Sequence, residues 1–169
     1  MKAQLIITHP GSAHFDEVAA VSLILAVHAD TVFRIERREP AQAELDNPDV
    51  WVVDIGDRHE PEKRNFDHHQ DTDCPAAFVL VAEYLGLLET MSVMPWWHFK
   101  DSVDRFGPGK SSIKYHAGDD LVNRNPVESW LVARFASGPE ANLPLLRSFG
   151  AHIVQEARIL KSQIDFWKT

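Results

Sequence analysis

Asp67-His68-His69 sets two imidazoles side by side behind a carboxylate, inside the run Asn65-Phe66-Asp67-His68-His69-Gln70. Adjacent histidines repel when both protonate, so such a run is best held where a cation keeps the rings neutral or an acid shares their protons. It therefore asks for partners from distant segments, and a chain that supplies them must bring several element ends together. The candidates are His9, His14 and Asp16 in Thr8-His9-Pro10-Gly11-Ser12-Ala13-His14-Phe15-Asp16-Glu17, Asp54 in Val52-Val53-Asp54-Ile55-Gly56, and Asp101 or Asp104.

Most of these follow an apolar run that can serve as a rigid mount. Leu5-Ile6-Ile7 is short and continuous, as in a strand covered on both faces, and Pro10-Gly11 breaks it. From Phe15 the apolar spacing turns helical through Val18, Val21, Leu25 and Ala26, with Asp16 and Glu17 favourably placed in the first turn. His14 and Asp16 thus fall at a strand-to-helix junction, the edge of a parallel sheet where ligands bind. Thr31–Ile35 reads as a second strand, Glu36–Asn47 has no firm assignment, and Val50–Asp54 reads as a third strand. A charged loop over Arg58–Arg64 follows, then a helix within Pro75–Leu88 and another from Trp96 to Asp104, stopped at Gly107-Pro108-Gly109. Ser111–Asn125 looks loop-like, Pro126 opens a helix over Val127–Phe135, and Asn142–Trp167 has the spacing of a long amphipathic helix. The fold expected is α/β: a parallel sheet with flanking helices over 1–120, carrying the metal-type residues, and a helical C-terminal extension over 121–169 packed on the same core.

A chain of 169 residues and 19.1 kDa can fill one core well but two only marginally. Its net charge of -8 argues against a broad basic footprint for duplex nucleic acid. That acidity does not exclude a phosphate substrate, because bound cations invert the charge of a carboxylate cluster. Cys74 is the single cysteine, and no stretch approaches a membrane span. The N-terminal apolar run is too short for a secretory signal, so a cytoplasmic protein is expected.

A carboxylate at a strand end such as Asp54 can bridge two cations roughly 3.5–4 Å apart, the spacing at which one activates water while both clamp phosphoryl oxygens. In the Asp67-His68-His69 run, His68 can ligate, Asp67 can orient an imidazole, and His69 can stay free for the substrate or leaving group. Each residue also has a plainer reading: His9 and His14 as polar loop residues, Asp16 as a helix cap, Asp54 as a turn residue. Asp101 and Asp104 share a helical face, so either can reach the site. Arg105, Lys110 and Lys114 read either as a phosphate clamp or as solvated charges, and Arg37-Arg38 as a solvated pair. Trp96, Trp97, Trp130 and Trp167 read as core or interface rather than base-stacking platforms, and His28, His98, His116 and His152 as surface or core histidines.

Taken together, Thr8-His9 with His14-x-Asp16-Glu17, the Val53-Asp54-Ile55-Gly56 turn and Phe66-Asp67-His68-His69-Gln70 resemble the DHH phosphoesterase superfamily, and within it the melanocyte-proliferating-gene family of metal-dependent exonucleases. The resemblance covers the first half of the chain, with a weaker match at Ser102-Val103-Asp104. It implies a DHH-type N-terminal domain binding two divalent metal ions, manganese first, with magnesium or another divalent ion as alternatives. His9, His14 and Asp54 would hold one ion; Asp16, Asp54, His68 and Asp104 the other; His69, supported by Asp67, would sit beside the scissile phosphate. Histidine at position 14, where many superfamily members carry aspartate, is shared with the exonuclease branch and favours softer metals. The function implied is hydrolysis of a phosphodiester or phosphoanhydride bond in a phosphate-containing small molecule or a short single-stranded nucleic acid. The sequence ends short of the substrate-closing region expected of longer relatives, which favours short substrates. A homodimer could supply that missing wall, with the long last helix as the interface. The alternative is a non-catalytic metal-binding or interaction module of the same fold.

Overall fold

The computed structural model describes residues 3–117 and 125–168. Five strands, β1 (Gln4–Thr8), β2 (Phe33–Arg37), β3 (Val50–Val53), β4 (His59–Glu60) and β5 (Asn65–Phe66), form one sheet in the order β2-β1-β3-β5-β4. Its neighbours pair in parallel except for β4, which runs antiparallel to β5. Strand alternation sorts the side chains into two layers. Ile6, Trp51 and Val53 join the main core, whereas Ile7, Val50 and Val52 join a smaller cluster on the other face.

The main core lies under α1 (Phe15–Val27), which is buried continuously from Asp16 to Leu25. A helix apolar all round belongs inside a core, and this one packs against α3 (Ala77–Tyr84) and the last helix, α8 (Leu143–Lys168). The approach of α8 to α1 depends on Gly150, where a Cβ would lie 2.0 Å from the Ser22 carbonyl oxygen. One turn away, Arg147 donates to the carbonyls of Leu25, His28, Ala29 and Thr31 and closes the end of α1.

The expected α/β class and helical C-terminal stretch are both present, with local departures. The second strand begins two residues late, because pairing of Gln4 with Phe33 and of Thr8 with Arg37 sets its register. The unassigned segment holds α2 (Gln42–Leu45), whose Leu45 closes the smaller core. Arg58–Arg64 is not a plain loop: β4 and a 3-10 turn over Pro61–Lys63 lead into β5, with Arg64 at φ 59° reversing the chain. Strands of two residues carry no periodicity to read. Gly86, at φ 69°, separates α3 from α4 (Leu88–Met91).

Gly107-Pro108 ends α5 (Trp97–Phe106), but Pro108 also opens α6 (Pro108–Tyr115) where a loop was expected from Ser111 onward. Proline suits a first helical turn as well as it blocks an interior. Residues 118–124 of that expected loop lie outside the described residues. The helix opened by Pro126 is α7 (Pro126–Ser137). Trp97 is core, but Trp130 and Trp167 are exposed, Trp167 by 83% in the last turn of α8. Among the described residues no helix is long and apolar enough to cross a membrane.

Candidate metal centre

Strand register builds the site. Thr8 pairs with Val53, and Val53 with Phe66, so His9, Asp54 and Asp67 are the next residues off three neighbouring strand ends. From β1 the chain moves outward to β2 and returns to β3 on the other side, so the order reverses between β1 and β3. Such a switch point opens a crevice at the carboxyl ends of the strands. Asp54 turns away from β3 at φ 60°, a left-handed conformation that aspartate visits more readily than most residues. The remaining groups come from the start of α1 (His14, Asp16) and from α5 (Asp104).

Among the described residues, three sets each bring their ligand atoms within 4.8 Å of one another: His9, His14 and Asp54; Asp54, His68 and His69; and Asp16, His68 and Asp104. With its proton on Nδ1, His9 donates to the Pro10 carbonyl at 2.8 Å. Its Nε2 then faces Glu17 Oε1 at 3.1 Å and Asp54 Oδ2 at 3.5 Å. His68 Nε2 meets Asp104 at 2.9 Å, Asp54 at 3.4 Å and Asp16 at 3.6 Å. Despite these approaches, His9 Nε2, His68 Nε2 and Asp54 Oδ1 are buried with no aligned hydrogen bond. Nitrogen lone pairs ringed by carboxylate oxygens need a positive charge between them, and a mixed imidazole and carboxylate set fits a divalent cation.

Where no cation is bound, protons take that role. The Glu17 carboxylate, against the opposing effect of burial, pushes His9 up to about 9. Burial disfavours charge on His68, but the Asp104, Asp54 and Asp16 carboxylates overcome it and push His68 up to about 11. Burial, aided by the negative charges of Asp104 and Asp54, raises Asp16 well above the usual carboxylate range. Asp54 is raised chiefly by burial, with His68 pulling the other way.

Two buried acids hold this geometry together. Asp67 Oδ1 accepts from the His68 and His69 amides at 2.7 and 3.2 Å and lies 2.6 Å from His69 Nδ1, while Oδ2 accepts from the Asp57 amide. One carboxylate thereby fixes the backbone of both histidines and the ring of His69, whose Nε2 is left free. Asp16 accepts from the amides of Ala77 and Phe78 at 2.9 and 2.6 Å, tying the start of α1 to the start of α3. Asp101, the other candidate on α5, instead accepts from the Ala76 amide and pairs with Arg105.

Comparison with known proteins covers most of this site. Residues 5–75 match the family model MYG1_exonuc, described as Uncharacterised protein family (UPF0160). The matched span contains His9, His14, Asp16, Asp54, Asp67, His68 and His69; Asp104 lies beyond it. No curated protein and no solved structure matches the chain.

His14, Asp54 and His69 line clefts on two sides of the cluster. The first, about 470 Å³, also includes Asp16, Asp104, Phe15 and Lys100. Lys100 Nζ sits 2.6 Å from Glu128 and over the Phe15 ring. Sequence reasoning missed Lys100, Glu17 and Arg37. Arg37 is not a solvated charge: it pairs with fully buried Glu17 at 3.2 Å and donates to the Gly11 carbonyl. Arg105, read either as a phosphate clamp or as a solvated charge, is engaged by the Thr72 carbonyl and Asp101. The Glu17 signal lay in its place three residues after His14, where a capping acid turns inward.

Proposed function

We propose that the chain is a divalent-cation-dependent phosphoesterase of the DHH type, hydrolysing a phosphodiester or phosphoanhydride bond. The observation that carries this reading is the double membership of Asp54, which belongs both to the His9 group and to a His68 group. A carboxylate so placed suits the bridge between two ions. His9, His14 and Asp54 would hold one ion and Asp16, Asp54, His68 and Asp104 the other, with manganese favoured and magnesium or another divalent ion as alternatives. Bound there, such ions supply a water nucleophile ionised near neutral pH and neutralise charge on the phosphoryl oxygens. His69, steadied through Nδ1 by Asp67, presents Nε2 for a hydrogen bond to a phosphoryl or leaving oxygen. Asp67 acts by keeping that ring in place.

Short substrates fit best. Lys100 is the one lysine or arginine among the described residues lining the first cleft, and it is tied to Glu128. That leaves little positive surface to track a long polyanion. Beside it, an apolar recess walled by Phe15, Trp96 and Phe149 can receive a base. A short single-stranded nucleic acid or a small nucleotide satisfies both. The exposed Trp167 on α8 supports a homodimer through the last helix.

The test is hydrolysis of a short oligoribonucleotide and of a nucleotide anhydride with added manganese. Turnover is expected, together with its loss in His68→Ala while the helical circular dichroism is retained; unchanged turnover in that variant refutes the assignment. Binding of two ions with no turnover of any substrate would favour the non-catalytic metal-binding module.

A further inference from the structure

Glu17 occupies the position from which a helix-capping acid reaches back to the first amide, and it does so, accepting from the His14 amide at 3.2 Å. Capping does not account for the rest of its surroundings. The side chain is fully buried, whereas a capping acid at a helix start normally faces water. The same Oε1 lies 3.1 Å from His9 Nε2 and 3.2 Å from an Arg37 nitrogen, so an imidazole, an amide and a guanidinium converge on one oxygen. The other oxygen, Oε2, is buried with no hydrogen-bond partner. Arg37 is held in turn by the Gly11 carbonyl and over the Phe135 ring.

We infer that Glu17 is a positioning residue for the cation held by His9, His14 and Asp54, and that Arg37 sets how much of its negative charge that cation feels. The inference rests on the reading that this group binds a divalent ion. Glu17 points its charge at the one ring nitrogen of His9 that is free to ligate, because Nδ1 is turned to the Pro10 carbonyl. A buried carboxylate beside the ligating nitrogen places negative charge next to the cation, where low dielectric keeps it effective, and strengthens the hold on that cation. Arg37, drawing on the same oxygen, weakens that effect. Glutamine caps a helix as well as glutamate does, so Glu17→Gln removes the charge and keeps the cap.

Titration calorimetry of the full chain with Mn2+ alone separates these roles. Wild type is expected to bind two ions. In Glu17→Gln, one of the two affinities should fall on the order of 10- to 100-fold, with helical circular dichroism unchanged. Arg37→Met should move the same constant upward, a direction that loss of a merely structural pair would not produce. The double variant Glu17→Gln/Arg37→Met, which buries no unpaired charge, should show the weakened site of Glu17→Gln even if Arg37→Met alone fails to fold. Equal affinities in wild type and Glu17→Gln overturn the inference and leave Glu17 as a cap, with the proposed function intact. A fall in Arg37→Met matching that in Glu17→Gln also overturns it. Absence of Mn2+ binding in wild type overturns the proposed function, and this inference with it.

Discussion

His68 Nε2 and Asp104 Oδ2 lie 2.9 Å apart, joining the sheet edge to helix α5. This contact separates Asp104 from Asp101, two acids one helical step apart on a shared face. Asp101 is engaged by the start of α3 and by Arg105, so Asp104 alone of the two meets the imidazole. Asp104→Ala should therefore weaken Mn2+ binding by at least about 100-fold, the upper end of what loss of an outer-shell partner costs. Asp101→Ala should leave that affinity unchanged and instead cost about 1–3 kcal/mol of stability by orphaning the Ala76 amide. Calorimetric titration and thermal melts on both variants check the division.

Stability without metal should depend on pH in a defined direction. His9 and His68 have folded-state values raised to about 9 and about 11 from an ordinary 6.5. A raised histidine contributes its full stabilisation below the unfolded value and loses it as pH rises through the folded one. Metal-free protein should thus melt at progressively lower temperature from pH 6.5 upward. Excess divalent cation should oppose the trend, because it competes with those protons and binds more tightly as pH rises. Melting curves between pH 6 and 8.5, with chelator and with Mn2+, should diverge as pH increases; parallel curves would refute the linkage.

Gly150→Ala should be among the most damaging small changes in the chain. Alanine normally improves a helix interior by about 1 kcal/mol over glycine, but here its Cβ would lie 2.0 Å from a backbone oxygen of α1. Forced separation of α8 from α1 should cost about 3 kcal/mol and lower the melting temperature on the order of 10 °C. Gly109→Ala in α6, where a Cβ meets nothing within 4 Å, should hold or raise stability.

Arg147 closes α1 with one planar fork spread over four carbonyls. Arg147→Met should cost about 2–3 kcal/mol, since hydrogen bonds from a charged donor exceed neutral ones. Arg147→Lys should recover little of it, because an ammonium cannot span the same acceptors. Chemical denaturation of the two variants measures both effects.

Much of this architecture was legible locally. Leu5-Ile6-Ile7 and Val50-Trp51-Val52-Val53 are runs long enough to declare strands, and Pro10-Gly11 and Gly56 mark their ends, so His9 and Asp54 could be placed at strand termini before any packing was known. The hairpin of β4 and β5 could not be read, because two-residue strands exist only through their pairing. Pro108 punctuates equally well as a stop or a start, and whether α6 followed was settled by packing: its Ser111 is buried and shares a hydrogen bond with Ser102 of α5.

The sequence by itself determined which residues can donate to a cation and that they ride on alternating strands and helices, because residue chemistry and hydrophobic period are properties of short segments. Only the tertiary structure decided that β1 and β3 lie side by side in a register that aligns His9 with Asp54. It also decided that Asp104 rather than Asp101 meets His68, and that Arg37 is consumed by Glu17. Those outcomes depend on contacts between segments far apart in the chain, where burial removes water and leaves each charge to be answered by whichever group the packing brings within reach.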